Sequence, residues 1–123
     1  MTAKILVVDD SAMVRRQVGA ALKAIGYAVV EAEDGVDALE KLDASPDMRM
    51  IVCDVGMPRM NGLEFLEQLS ARGSTVPVVM LTTEGQSELI QRARSLGAKG
   101  WIVKPFKAEF LEATAKKFAP LSA

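Results

Sequence analysis

Residues 4–16 of the chain read KILVVDDSAMVRR, and the fold follows from the change of character within this stretch. Four apolar residues, 5–8, end at the adjacent aspartates Asp9 and Asp10, and an amphipathic segment begins at once. A short continuous apolar run is typical of a strand that is buried on both faces, as in a parallel sheet. Two neighbouring carboxylates at the end of such a strand repel each other, so they require a partner of opposite charge.

Four further apolar runs repeat this arrangement along the chain. They cover residues 28–30, 50–53, 76–81 and 100–103. Between and after the runs, apolar residues recur at helical spacing, and Gly26, Gly73 and Gly97 follow three of these segments as helix-ending signals. Strand and helix therefore alternate five times. This pattern predicts an α/β fold with a doubly wound, five-stranded parallel sheet and five helices.

Composition narrows the function further. The chain has 123 residues, half of them hydrophobic, which predicts one domain over residues 1–123 with no output domain. A net charge of −1 disfavours nucleic acid as a partner, and no apolar run is long enough to predict a membrane span. Cys53 is the single cysteine, so we expect no internal disulfide and a cytoplasmic protein. The chain has no histidine, so a metal site must be built from oxygen ligands.

Chemically active side chains follow several strands at the point where each ends. In an open parallel sheet, ligands bind outside the carboxyl ends of the strands. We expect that edge to gather three carboxylates, a hydroxyl and an amine, from Asp9, Asp10, Asp54, Thr82 and Lys104. Clustered carboxylates raise one another's pKa unless a cation intervenes, and oxygen ligands favour Mg²⁺. A carboxylate left free to attack would form an acyl phosphate, a reaction that needs mainly positioning and charge neutralisation.

Four motifs together resemble one protein family. VVDDSAMVR (7–15), CDVGMPRMNG (53–62), LTTEG (81–85) and GWIVKPF (100–106) are similar in order and spacing to the receiver domains of two-component response regulators. Among these, the likeness is to stand-alone chemotaxis receivers, and it covers nearly the whole chain. The resemblance implies the flavodoxin-like strand order 2-1-3-4-5, for which chemotaxis receivers are an established example. Periodicity alone does not give that order.

The resemblance also implies a role for each residue at the strand ends. Asp54 would accept a phosphoryl group from a histidine kinase. Thr82 would bond the phosphoryl group, and Lys104 would pair with Asp54 or its phosphate. The ligands of Mg²⁺, with Mn²⁺ as an alternative, would be Asp9, Asp10, Asp54 and the backbone carbonyl of Gly56. The peptide between Lys104 and Pro105 is usually cis in the family, whereas sequence alone gives a cis bond a low prior.

Trp101 departs from the family's pattern. Three residues before the lysine, the family usually has Tyr or Phe, which turns inward when the hydroxyl residue moves toward the phosphate. Indole is larger, and Thr83 adds bulk beside Thr82. We therefore expect Trp101 to be the switch residue together with Thr82, but to rotate less completely than the usual aromatic residue.

Simpler roles are also open for some of these residues. Asp10 could cap the first helix, and Thr82 could serve only as a turn residue. Cys53 is expected to be an inert core thiol. Two adjacent acids that face Asp54 and Lys104 nevertheless favour the metal interpretation over a cap.

The expected output is a contact with another protein. By analogy with the family, the contact surface is the fourth helix, fifth strand and fifth helix. The candidate residues there are Ile90, Arg94, Trp101, Val103 and Lys117. The expected partners are a histidine kinase, a flagellar motor switch or other downstream protein, and a phosphatase, with no nucleic acid and no membrane. The chain itself is expected to be a monomer.

Three other functions remain open from the sequence. A phosphatase of the haloacid dehalogenase type needs a second Asp two residues after its nucleophile, where this chain has Gly56. We therefore expect no enzyme beyond catalysis of the chain's own phosphorylation and dephosphorylation. A flavin binder would need a phosphate cradle where Asp9 and Asp10 would repel the phosphate. A phosphorelay intermediate or phosphate sink, which exchanges phosphate with a histidine phosphotransfer protein, is the remaining alternative.

Overall fold

The computed structural model describes residues 3–121, and within them five strands alternate with five helices. The strands are β1 (Lys4–Val8), β2 (Ala28–Ala32), β3 (Met48–Cys53), β4 (Val78–Thr82) and β5 (Gly100–Val103). The helices are α1 (Ala12–Ala24), α2 (Gly35–Ala44), α3 (Gly62–Ala71), α4 (Ser87–Ser95) and α5 (Ala108–Phe118). All strand pairs are parallel, in the order β2-β1-β3-β4-β5. The predicted fold class and strand order are confirmed.

The sheet is buried on both faces, which explains the continuous apolar runs. In β1, Ile5 and Val7 belong to the core that packs with α1 and α5, whereas Leu6 and Val8 belong to the core on the opposite face. This alternation follows from the two-residue period of a strand. No helix within residues 3–121 combines the length and the apolar character needed to cross a membrane.

Several strand boundaries differ from the prediction. The apolar run 76–81 begins two residues before the strand, because β4 starts only after Pro77, which has no N–H for the hydrogen-bond ladder. The Pro77 carbonyl still accepts the N–H of Ile51 at 2.9 Å. At its other end β4 includes Thr82, which the sequence had placed after the strand. Strand β3 begins two residues earlier than expected, and β2 ends two residues later.

Helix ends follow the local signals. Gly26, Gly73 and Gly97 adopt φ values of 104°, 69° and 107°, a left-handed region that glycine enters without a Cβ penalty. The alternative role of Asp10 as a helix cap, which the sequence disfavours, is excluded. Ser11 is the N-cap of α1, and its hydroxyl accepts a backbone N–H of the first turn at 3.3 Å. Asp10 is thereby left exposed at the carboxyl edge of the sheet.

Candidate metal centre

Strand pairing brings Asp9 and Asp54 side by side. Val8 and Cys53 are partners in the register of β1 and β3, so the next residue of each strand leaves the sheet at the same point. The N–H of Asp54 continues the ladder by donating to the Val8 carbonyl at 3.0 Å. The two carboxylates are 45 residues apart in sequence, yet parallel pairing alone makes them neighbours.

Three carboxylates lie within reach of one ion. Asp9, Asp10 and Asp54 each offer an oxygen within 4.8 Å of the others. Asp9 and Asp54 are buried, while Asp10 is open to solvent. Gly56 follows in the exposed loop after Asp54, and a Cβ placed there would meet nothing within 4 Å. An oxygen-only cluster with one solvent-facing side fits Mg²⁺, which keeps several waters when it binds protein carboxylates.

Lys104 neutralises part of this charge. Its Nζ donates to Asp9 Oδ2 at 2.7 Å and to Asp54 Oδ2 at 3.2 Å. Burial lowers the pKa of the Lys104 amine, but the two carboxylates raise it by a larger amount. Its pKa therefore lies above the ordinary value. The resemblance had paired Lys104 with Asp54, whereas the structure gives Asp9 the shorter bond.

The carboxyl of Asp9 resists ionisation. Burial raises its pKa more than Lys104 and the Ser11 N–H at 2.9 Å lower it, and the nearby Asp54 charge raises it further. A cation at this site would favour the ionised form and relieve the cost. Asp9 is therefore a carboxylate that the chain itself does not fully neutralise.

Arg15 also supports the site, a role that its place at the end of the motif 7–15 did not reveal. Its Nη1 donates to the Asp9 backbone carbonyl at 2.6 Å, and its Nε pairs with Glu31 Oε1 of β2 at 3.0 Å. Arg15 thereby links α1 to two neighbouring strands. Its neighbour Arg16 has the same charge and lies exposed, so only the direction of the side chain in the fold distinguishes them.

Thr82 is buried at the end of β4, with 1 % of its surface exposed. Its hydroxyl accepts the N–H of Glu84 at 3.3 Å, which stabilises the turn after the strand. Within residues 3–121 this hydroxyl bonds none of the three carboxylates, so its predicted contact with a phosphoryl group stays a prediction. The backbone of Lys104, directly after β5, lies beside Thr82, because the Lys104 N–H donates to the Thr82 carbonyl at 2.8 Å.

Trp101 is tied to the same turn. Its indole N–H donates to the Glu84 carbonyl at 2.8 Å, and the side chain is half-buried on β5. The sequence did not indicate this partner, although the donor-only indole nitrogen requires an acceptor when it is partly buried. Thr83 is exposed and lines a groove of about 470 Å³ with Lys104 and Pro105, so its bulk lies outside the core. The peptide before Pro105 is cis.

The predicted partner surface is only partly contiguous. Ile90, Arg94 and Trp101 line one depression between α4 and β5. Trp101 and Lys117 line a groove of about 330 Å³ between β5 and α5. Val103 lines neither, and its exposed side chain lies beside the turn that follows β4. Trp101 is thus shared by both depressions.

The fold and site define a class of protein. This is a doubly wound, flavodoxin-like α/β protein whose carboxyl edge holds an acidic pocket compatible with Mg²⁺. A half-buried lysine and a buried threonine lie at the same edge.

Known proteins place the chain within that class. The response regulator receiver domain model matches residues 5–116. The chemotaxis protein CheY1 of Helicobacter pylori strain J99 is 43% identical over 112 residues, which cover 89% of this chain and 90% of that one. The structure of Vibrio cholerae CheY4 aligns with a TM-score of 0.89 at 39% identity and covers 96% of this chain and 99% of that chain.

A third similar protein was solved with ligands. The Borrelia burgdorferi CheX–CheY–BeF₃–Mg²⁺ complex aligns with a TM-score of 0.87 at 27% identity and covers 95% of this chain and 90% of that one.

This chain belongs to the response regulator receiver domain family. Within it, the chain is a receiver of the chemotaxis type in two-component signal transduction.

Proposed function

We propose that the chain is a phosphorylation-controlled switch in a chemotaxis pathway, and that Asp54 accepts the phosphoryl group from a histidine kinase. One observation carries the proposal. The Asp54 carboxylate lies among Asp9, Asp10 and the Lys104 amine, with Asp9 and Asp10 oxygens within 4.8 Å and the amine at 3.2 Å. Phosphoryl transfer to a carboxylate depends mainly on positioning and charge neutralisation. These side chains supply both.

The orientation of Asp54 suits the role of acceptor. Its Oδ1 accepts the N–H of Val55 at 2.7 Å, while Oδ2 faces Lys104. Transfer forms a bond between an Asp54 oxygen and phosphorus, and the bond between phosphorus and the donor nitrogen breaks, with its electron pair left on the donor imidazole. Mg²⁺, held by Asp9, Asp10, Asp54 and the Gly56 carbonyl, would neutralise charge on the phosphoryl oxygens. Lys104 and Thr82 would bind the remaining oxygens.

The same proposal extends to the output. Phosphorylation would shift the turn after β4, because Thr82 holds the N–H of Glu84 and Trp101 holds its carbonyl. A change at Thr82 would thus reach Trp101, which lines both depressions of the α4–β5–α5 surface. The proposed partners there are a flagellar motor switch or other downstream protein, and a phosphatase.

We further propose that the chain acts on no external phosphoester. Gly56 provides no acid or base at the position where a dehalogenase-type phosphatase requires one. Membership of the receiver family supports the same view and disfavours a flavin binder. In this proposal the chain works as a cytoplasmic monomer that catalyses only its own phosphorylation and dephosphorylation.

The substitution Asp54→Asn tests the acceptor. With Mg²⁺ and labelled acetyl phosphate, the parent should become labelled and the variant should not, because the amide cannot form the acyl phosphate. Asp43→Asn is a matched control, since Asp43 is an exposed aspartate of α2. It should be labelled like the parent. Persistent label on the Asp54→Asn protein would refute the assignment.

A further inference from the structure

An ion pair between a buried aspartate and a half-exposed arginine joins the start of α2 to the loop after Asp54, outside the set of residues described so far. Asp34 precedes α2 and is 1 % exposed. Arg59 lies in the loop that follows Asp54 and donates to Asp34 Oδ2 through Nε at 2.7 Å and to Oδ1 through Nη2 at 3.2 Å. The N–H of Asp37 donates to the same carboxylate at 2.9 Å. Such a two-pronged arginine contact fixes direction as well as distance.

The backbone at Arg59 indicates that the contact is maintained against a cost. Its φ of 58° is the only positive value at a non-glycine residue within residues 3–121. Left-handed backbone brings a Cβ close to the following carbonyl oxygen, an unfavourable contact that glycine avoids. The charged hydrogen bonds to Asp34 offset this cost, so the arginine side chain stabilises the loop in this conformation.

Two glycines hold the same loop, residues 55–61, against the rest of the protein. The N–H of Gly35 donates to the Met60 carbonyl at 3.0 Å, and a Cβ on Gly35 would lie 2.6 Å from the Met60 side chain. The N–H of Gly62 donates to the Val55 carbonyl at 2.8 Å, and a Cβ on Gly62 would collide with the Asp54 carbonyl oxygen. The loop is therefore closed at its base and attached to α2 at its outer part.

The loop also fixes the orientation of the Asp54 carboxylate. Val55, at its base, gives its N–H to Asp54 Oδ1 at 2.7 Å. Only Gly56, Met57 and Pro58 separate Val55 from Arg59, and proline restricts the backbone between them. A shift of Arg59 would be transmitted over this short connection to Val55 and to the orientation of the carboxylate.

We infer that Asp34 and Arg59 are positioning residues for the metal centre, which hold loop 55–61 so that Asp54 presents its carboxylate to Mg²⁺. The inference rests on the proposed function and deepens it. The pair touches neither the metal nor the phosphoryl group. It acts through Val55, and its loss weakens the site without removing a ligand.

The substitution Arg59→Gly isolates the side chain, because glycine tolerates the positive φ and Asp34 remains as the cap of α2. We expect the dissociation constant for Mg²⁺, measured by calorimetry on metal-free protein, to rise about tenfold, as when an outer partner of a metal ligand is lost. Labelling by acetyl phosphate should fall at low Mg²⁺ and recover at saturating Mg²⁺. Arg59→Lys keeps the positive charge but loses the two-pronged contact, so its Mg²⁺ dissociation constant should lie between those of the parent and Arg59→Gly.

The matched control is Arg72→Ala. Arg72 pairs with Asp43 at 3.0 Å and joins the C-terminal ends of α2 and α3, away from loop 55–61. This variant should bind Mg²⁺ like the parent. Amides of loop 55–61 should exchange hydrogen faster in metal-free Arg59→Gly, but at the parental rate in Arg72→Ala.

An unchanged Mg²⁺ dissociation constant in Arg59→Gly would overturn the inference, and so would an equal rise in Arg72→Ala. If Arg59→Gly does not fold, Arg59→Lys decides: a rise supports the inference and parental binding overturns it. A parent that binds no Mg²⁺ would remove both this inference and the proposed function. A parent that binds Mg²⁺ and is labelled on Asp54, beside an unaffected Arg59→Gly, would remove this inference alone.

Discussion

Two aspartates of this chain are buried to nearly the same extent and behave in opposite ways. Asp9 is 3 % exposed and Asp34 is 1 % exposed. Each accepts a backbone N–H near the start of a helix, and each pairs with one cationic side chain. Nevertheless, the pKa of Asp9 is raised and the pKa of Asp34 is lowered.

The balance between the cost of burial and the neighbouring groups explains the difference. For Asp34, burial raises the pKa, but the hydrogen bonds from Arg59 and Asp37 lower it by more. For Asp9, burial outweighs the contribution of Lys104, and the charge of Asp54 opposes ionisation as well. Lys104 must serve two carboxylates, whereas Asp34 has most of the Arg59 fork to itself.

The comparison shows how one residue type serves two purposes. At Asp34 the chain supplies the full counter-charge, and the carboxylate stabilises the fold. At Asp9 the chain supplies too little positive charge to balance the nearby acids, and a divalent cation would supply the rest. The exposed fraction alone does not distinguish a structural carboxylate from a ligand; the balance between the cost of burial and the neighbouring charge does.

The largest expected effect is on the Asp9 side of the comparison. Mg²⁺ should raise the stability of the parent by about 2.7 kcal/mol when its concentration is a hundred times the dissociation constant. Asp10→Asn should remove most of this gain, because it removes an oxygen charge of the cluster. Thermal unfolding with and without Mg²⁺ measures both. A full Mg²⁺ response in Asp10→Asn would mean that the acidic pair has another purpose.

The next effect concerns Asp34. Asp34→Asn keeps a helix cap but loses the charge, so the free energy of unfolding at pH 7 should fall by about 1 kcal/mol, a modest value because Arg59 is half-exposed. A lowered pKa contributes stability above the ordinary value of 3.8 and loses it as the pH falls through the lower folded value. The difference between parent and variant should therefore shrink below pH 3.8 in denaturant titrations.

Asp9→Asn should change stability in the opposite direction. A raised pKa means that ionised Asp9 destabilises the folded state as the pH rises through its folded value. In metal-free protein at pH 7, the neutral amide should therefore increase the free energy of unfolding, while Asp54 still pairs with Lys104. If both substitutions lowered stability, the two carboxylates would not differ as described.

The smallest expected effect is spectroscopic. Trp101 is the single tryptophan and is half-buried, with its N–H on Glu84. Beryllofluoride with Mg²⁺ should change its emission intensity or its quenching modestly, because the indole is expected to rotate incompletely. Asp54→Asn should abolish the change. If the emission and quenching of Trp101 did not change in the parent, Trp101 would not respond to phosphorylation at the metal centre.

Local sequence patterns predicted most of the fold because they report burial directly. The apolar run 5–8 and the helix-ending Gly26 and Gly97 correspond to structural boundaries, since strand burial and left-handed backbone depend on nearby residues. The predicted bounds were wrong where two local signals compete, since Pro77 delays the start of β4 although the apolar run continues through it. The disfavoured alternative of a cap at Asp10 is excluded, because Ser11 caps α1.

The sequence by itself determined the alternation of strands and helices and the placement of Asp9, Asp10 and Asp54 at one edge, because parallel strands end together. Only the tertiary structure decided which partners these groups have. Lys104 bonds Asp9 more closely than Asp54, Trp101 bonds Glu84, and Arg59 bonds Asp34. Such contacts join residues 17 to 95 positions apart. They depend on side-chain directions that packing fixes and that no local periodicity contains.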